Sequence, residues 1–130
     1  MMTIVYVDDS ELALEAVKDG LEPYGFAVIT HRNPVTIYAA LARAHPALLL
    51  LDANMPTLDG RTICGLVKRH MKTLPIVLFS SLSPEELQAL VAQCGADGYI
   101  TKGADYDRIA TELRRLIPPR GRPEPGGIRR

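Results

Sequence analysis

The chain has 130 residues, 47% of them hydrophobic, and its 15 Lys and Arg balance its 15 Asp and Glu. That length suits one hydrophobic core, and the balance gives no general attraction to nucleic acid or to a membrane surface. No run approaches the roughly 20 apolar residues of a membrane span, and no basic segment followed by a long apolar one opens the chain as a secretory signal would. Cys64 and Cys94 stand alone, without metal-ligand or disulfide-framework spacing. Buried thiols in a reducing cytoplasm are expected.

Residues 3–7 form a short β-branched run that stops at Asp8 and Asp9, the pattern of a buried parallel strand. Ser10 caps a first helix with Leu14, Val17 and Leu21 at helical spacing and Gly25 beyond its end. Residues 26–30 form the second strand. Asn33 and Pro34 open the second helix, which carries Ile37, Ala40, Leu41 and Ala44 and which Pro46 keeps out of the third strand. That strand, residues 47–51, stops at Asp52. The third helix covers 60–71, with Ile63, Leu66 and Val67 apolar. Residues 76–79 form a fourth strand ending at Ser80. Ser83, Pro84 and Glu86 then supply a cap, a first-turn proline and a capping-box glutamate for a helix closed by Gly95. Residues 99–101 lead into Lys102. A fifth helix starts near Asp105 and carries Ile109, Leu113, Leu116 and Ile117 on one face. Beyond it, residues 118–130 read as a flexible Pro/Gly/Arg-rich tail or a linker cut short.

The order is β-α repeated five times, over residues 1–117. It implies an α/β, doubly wound, flavodoxin-like sandwich with a five-stranded parallel sheet in the order 2-1-3-4-5. Ligands of such sheets bind outside the carboxyl ends of the strands, where the first and third lie side by side. Asp8, Asp9 and Asp52 would converge there, flanked by Ser80 and Lys102. Carboxylates that close repel one another and invite a hard divalent cation. Magnesium takes one or two protein carboxylates and keeps room for phosphate oxygens. One carboxylate can then attack phosphorus, while Lys102 neutralises one phosphoryl oxygen and Ser80 donates to another. These residue types suit phosphoryl transfer onto a carboxylate.

Over residues 3–117 the chain resembles the receiver domain of two-component response regulators, of the chemotaxis-regulator kind. Asp8 and Asp9 match the acidic pair after the first strand, and Asp52, in Leu-Leu-Asp-Ala-Asn-Met-Pro, matches the phosphoacceptor. The resemblance implies Mg2+ held directly by Asp9, Asp52 and the backbone carbonyl of Asn54, with Asp8 acting through water. Ser80 and Tyr99 match the two switch positions, and Lys102 matches the lysine after the fifth strand. Pro56 and Gly60 fall where the family shapes the loop into its third helix. The implied partners are a histidine kinase or phosphotransfer protein and a downstream effector protein, with a homodimer open, and with neither nucleic acid nor membrane bound through this domain.

Two positions depart from the pattern. Gly103 replaces the proline that usually follows the lysine, often after a cis bond. A cis bond without proline costs about 3 kcal/mol, so a trans or mobile loop is expected, and the reach of Lys102 is left open. Ser81 replaces the usual Ala or Gly, and its hydroxyl either narrows access to the phosphoryl group or faces solvent.

Taken singly, these residues have plainer readings. Asp8 and Asp9 suit a helix start, Lys102 a solvated surface, Ser80 a strand end and Tyr99 the core. His31, His45 and His70 show no ligand spacing. Asp52 after four leucines resists a structural reading, because a buried unpaired carboxylate is costly. Among rivals, an FMN protein would have its phosphate repelled by the first acidic pair. A haloacid-dehalogenase-type phosphatase needs a second aspartate two residues after the nucleophile, where Asn54 stands and cannot act as the acid. No Gly-rich nucleotide signature occurs. The expectation is a signalling receiver rather than a metabolic enzyme, phosphorylated on Asp52. The alternative is a receiver-fold interaction module that works without phosphorylation.

Overall fold

The computed structural model describes residues 1–55 and 60–118. The remainder, which includes Pro56 and nearly all of the expected tail, lies outside the described residues. Along the chain come β1 (Met2–Val7), α1 (Glu11–Leu21), β2 (Phe26–His31), α2 (Ile37–Ala44), β3 (Leu48–Asp52) and α3 (Gly60–His70). They are followed by β4 (Ile76–Ser80), α4 (Pro84–Cys94), β5 (Gly98–Thr101) and α5 (Tyr106–Leu116). The strands are parallel and lie in the expected order β2-β1-β3-β4-β5.

Side chains alternate across this sheet and divide the core into two layers. Ile4, Tyr6, Leu48, Leu50, Val77, Phe79 and Ile100 pack against Leu14, Val17 and Leu21 of α1 and Ile109 and Leu113 of α5. Val5, Val7, Leu49, Leu51, Ile76 and Leu78 face the other way, onto Ile37 and Leu41 of α2, Ile63 and Val67 of α3 and Leu87 of α4. Both faces are covered, which is why the strands read as continuous apolar runs. Cys64 and Cys94 are buried free thiols. Although 30 residues apart, they meet where α3 packs on α4, the Cys64 thiol donating to the Cys94 carbonyl at 3.6 Å.

The helix ends follow local chemistry. Ser10 caps α1 through the Ala13 N–H, Ser83 and Glu86 make both bonds of the capping box at α4, and Asp105 caps α5 through the Arg108 N–H. Gly95 closes α4 in the left-handed region at φ 80°. Several boundaries fall a residue or more from expectation. Pro23 lies in a 3-10 turn, Glu22–Tyr24, that separates α1 from Gly25. Asn33 caps a second 3-10 turn, Pro34–Thr36, and α2 starts only at Ile37. The β-branched Val35 and Thr36 disfavour an earlier α-helical start. Finally, β3 runs one residue further than expected, so Asp52 belongs to the strand itself and pairs in register with Phe79.

Candidate functional site

The site is built at the carboxyl ends of β1, β3, β4 and β5. Asp8 and Asp9 follow β1, Asp52 and Ser80 are the last residues of β3 and β4, and Lys102 follows β5. The ladder continues a step beyond the strands, Asp8 N–H donating to the His31 carbonyl at 3.2 Å and Lys102 N–H to the Ser80 carbonyl at 2.8 Å. These bonds fix where both side chains start. Carboxylate oxygens of Asp8, Asp9 and Asp52 lie within 4.8 Å of one another. Asp8 is 1% exposed and Asp52 5%, while Asp9 is half-buried. Two buried carboxylates and a more open third offer hard oxygen donors in one place, a set that fits a small divalent cation.

The Lys102 ammonium spans the two buried carboxylates, 3.0 Å from Asp8 Oδ2 and 3.7 Å from Asp52 Oδ1. Asp8 Oδ2 also accepts from the Tyr6 hydroxyl at 2.5 Å, and its Oδ1 accepts from the Ser10 N–H at 3.0 Å. Burial pushes the Asp8 carboxyl up, but the donors Tyr6, Ser10 and Lys102 outweigh it and hold Asp8 below the usual carboxylate range. At Asp52 the balance reverses. Burial pushes it up, the Asn54 N–H at 3.1 Å and Lys102 pull it down, and the charge of Asp8 helps keep it above the usual range. Asp52 is therefore the more basic of the two, which suits a nucleophile.

Ser80 is buried, with its Oγ accepting from the Leu82 N–H at 3.1 Å. Tyr99 is half-buried on the α4 side, its hydroxyl accepting from the Gln88 amide at 3.2 Å. Asn54 is exposed and meets Asp52 through its backbone N–H. Gly103 adopts φ 103°, a left-handed conformation that suits glycine, and no peptide among the described residues is cis. With that backbone Lys102 reaches both carboxylates. Ser81 is exposed, so of its two expected roles it takes the solvent-facing one.

Among the three histidines, His31 bonds the Thr36 hydroxyl, His45 ends α2 in the left-handed region at φ 47°, and His70 meets Tyr38 and the Leu66 carbonyl. None joins the acidic cluster. Sequence reasoning missed Tyr6 and Phe79. Tyr6 is fully buried directly beneath Asp8, edge-on to Phe79 with ring centroids 5.8 Å apart, and Lys102 Nζ stands 5.6 Å from the Phe79 centroid. A polar-tipped ring two residues before Asp8, on the same side of the strand, was the available signal.

A parallel sheet with three clustered aspartates and a lysine at its carboxyl edge defines a phosphoacceptor-type α/β domain. The response regulator receiver domain model matches residues 4–114, and the chain belongs to that family. Transcriptional regulatory protein YxdJ of Bacillus subtilis is 31% identical over 117 residues, covering 90% of this chain and 51% of that protein. The chain thus spans about half the length of such curated relatives. Among solved structures, the signal receiver domain of a signal transduction histidine kinase from Syntrophus aciditrophicus superposes with a TM-score of 0.81 at 29% identity, covering 98% of each chain. Vibrio cholerae chemotaxis protein CheY4 gives a TM-score of 0.80 at 25% identity, covering 89% of this chain and 98% of that one.

Proposed function

We propose that this receiver accepts a phosphoryl group on Asp52 from the phosphohistidine of a histidine kinase or phosphotransfer protein, and thereby switches a protein-interaction surface. The observation that carries this is the ammonium of Lys102 held between two buried carboxylates, with a third carboxylate beside them. In the transfer, an Asp52 oxygen attacks phosphorus, the P–N bond breaks, and its electron pair returns to the imidazole. Lys102 is close enough to follow the new negative charge as it forms. Ser80 donates its hydroxyl to a second phosphoryl oxygen by turning away from the Leu82 N–H. Mg2+ would be held by Asp9, Asp52 and the Asn54 carbonyl, with Asp8 reaching it through water. Once bound there it supplies positive charge for the remaining phosphoryl oxygens. The occupied oxygens of Asp8 and the more open position of Asp9 support that division.

The role is regulatory rather than turnover of a metabolite. The cytoplasm is its expected location, and no helix among the described residues is long and apolar enough to cross a membrane. Readout runs through α4, β5 and α5. Tyr99 packs on the face of the sheet that meets α4, and Ser80 falls in step with Ile76 and Leu78 of that face, so a rotation of Ser80 is felt first on the side of Tyr99, Gln88 and Leu87. Ile109 packs on the opposite face and belongs to a later step. Amide NMR spectra with and without beryllofluoride, a phosphoryl mimic, test this. Shifts should extend from the pocket to Tyr99 and α4. Shifts confined to the pocket would favour a module that works without phosphorylation.

A further inference from the structure

Among the four buried residues of β1, Ile4, Val5, Tyr6 and Val7, only Tyr6 has a polar side-chain atom, and the phosphoacceptor chemistry described above does not use it. Its ring is fully buried in the layer facing α1 and α5, packed edge-on to Phe79. A phenol so placed needs a hydrogen-bond partner. A hydroxyl has one proton to give, and Tyr6 gives it to Asp8 Oδ2. Lys102 bonds the same oxygen, but its ammonium is shared with Asp52 3.7 Å away. Any phosphoryl group joined to Asp52 competes for that ammonium, because charge-assisted bonds to phosphoryl oxygens are strong. Tyr6 has no such second claim on it.

We propose that Tyr6 is a positioning residue for the acidic site: its hydroxyl fixes the Asp8 carboxylate so that it reaches, through water, a divalent cation held by Asp9 and Asp52. The proposal rests on the phosphoacceptor reading and deepens it. Asp8 is held at three points. The Ser10 N–H fixes Oδ1 from the start of α1, while Tyr6 and Lys102 fix Oδ2 from below and from the side. Without the Tyr6 bond, rotation about the Asp8 side chain is limited only by the shared lysine and one backbone amide. Partners that orient a ligating or water-bridging carboxylate in this way typically change metal affinity about 10- to 100-fold when removed.

Tyr6→Phe keeps the ring, its volume and the edge contact with Phe79, and deletes only the donor. Calorimetric titration with magnesium chloride should show a dissociation constant raised about tenfold relative to wild type. In an Asp8→Asn background the same substitution should cause no further loss, because the hydroxyl acts through Asp8. A purely structural Tyr6 would give equal affinities in wild type and Tyr6→Phe, and that result, or tighter binding, overturns the proposal. A wild type that binds no magnesium overturns the phosphoacceptor reading together with it, which separates the two failures. Wild-type protein alone gives a second readout should Tyr6→Phe fold poorly. The Tyr6 ring-carbon resonance bearing the hydroxyl should move during the magnesium titration, with the calorimetric midpoint. A resonance that stays fixed through saturation overturns the proposal.

Discussion

Asp52→Asn should make the metal-free protein more stable at neutral pH, because it removes a charge that the fold holds at a cost. Asp52 is 5% exposed, so its ionised carboxylate forfeits most of its hydration. Two charges act on it in opposition. Lys102 Nζ at 3.7 Å attracts it by about 4.5 kcal/mol at an effective dielectric of roughly 20. The Asp8 carboxylate, within 4.8 Å, repels it by at least about 3.5 kcal/mol on the same footing. The two nearly cancel and burial decides, in keeping with the raised Asp52 carboxyl. Asparagine keeps the shape and can still accept the Asn54 N–H. The expected gain is about 1 to 2 kcal/mol, the low end of costs for a buried, imperfectly paired polar group. For a chain of this size that corresponds to about 4 to 8 °C in Tm. A carboxyl raised in the folded state contributes stability that is fully present below its unfolded pKa and lost as pH rises through the folded one. Wild type should therefore fall behind the Asn variant as pH climbs through that window, and the two should converge in acid. Asp8 has the opposite sign, being lowered, so its contribution is lost as pH falls. Asp8 is present in both proteins and largely drops out of the difference. Urea unfolding in EDTA from about pH 4 to about pH 8 spans the range. Equal stabilities at neutral pH, or a gap that widens in acid, would refute this reasoning.

Three further substitutions probe the same site. Asp9→Ala should weaken magnesium binding and with it the stabilisation of about 2.7 kcal/mol expected at 100 times the wild-type dissociation constant; equal affinities by calorimetry would remove Asp9 from the site. Lys102→Ala leaves Asp8 and Asp52 facing each other without their cation. It should cost about 2 to 4 kcal/mol in metal-free urea unfolding, at or just below the range for broken buried pairs because the lysine is partly exposed, and an unchanged midpoint would count against the ion-pair geometry. Gly60→Ala would place a Cβ 2.8 Å from Ala53 Cα and 2.9 Å from its carbonyl oxygen. The backbone next to Asp52 must then shift, so both Tm and the rate of phosphorylation should fall; a wild-type labelling rate would show that this contact does not position the acceptor.

The five strands and the acids at their ends were legible because each apolar run is short, lies between helix caps or breakers, and stops at a polar residue. Which acid turns inward was not. With both faces of the sheet covered, β1 shows no polar alternation, so nothing in the pattern marks Asp8 as sharing the side of Ile4 and Tyr6 while Asp9 stays half-open. Tyr6 read as one more residue of the buried run, since the two-residue spacing that sets it beside Asp8 is shared by every residue pair on one side of a strand. With both faces covered, nothing in the sequence marks Leu87 and Tyr99 as lying on the opposite side of the sheet from Ile109. The late start of α2 was written in Pro34, Val35 and Thr36, yet the strong Asn-Pro cap outweighed it in the reading. Departures at Ser81 and Gly103 needed backbone geometry to interpret, which residue type alone does not carry.

The central claim is that Asp52 takes the phosphoryl group in a magnesium-dependent step. Intact-mass measurement after incubation with acetyl phosphate tests it most directly, using wild type with magnesium, wild type with EDTA, and Asp52→Asn with magnesium. The account predicts one added phosphoryl group, labile to hydroxylamine, in the first sample alone. Undiminished addition to the Asn variant, or addition to wild type that is indifferent to EDTA, would contradict it.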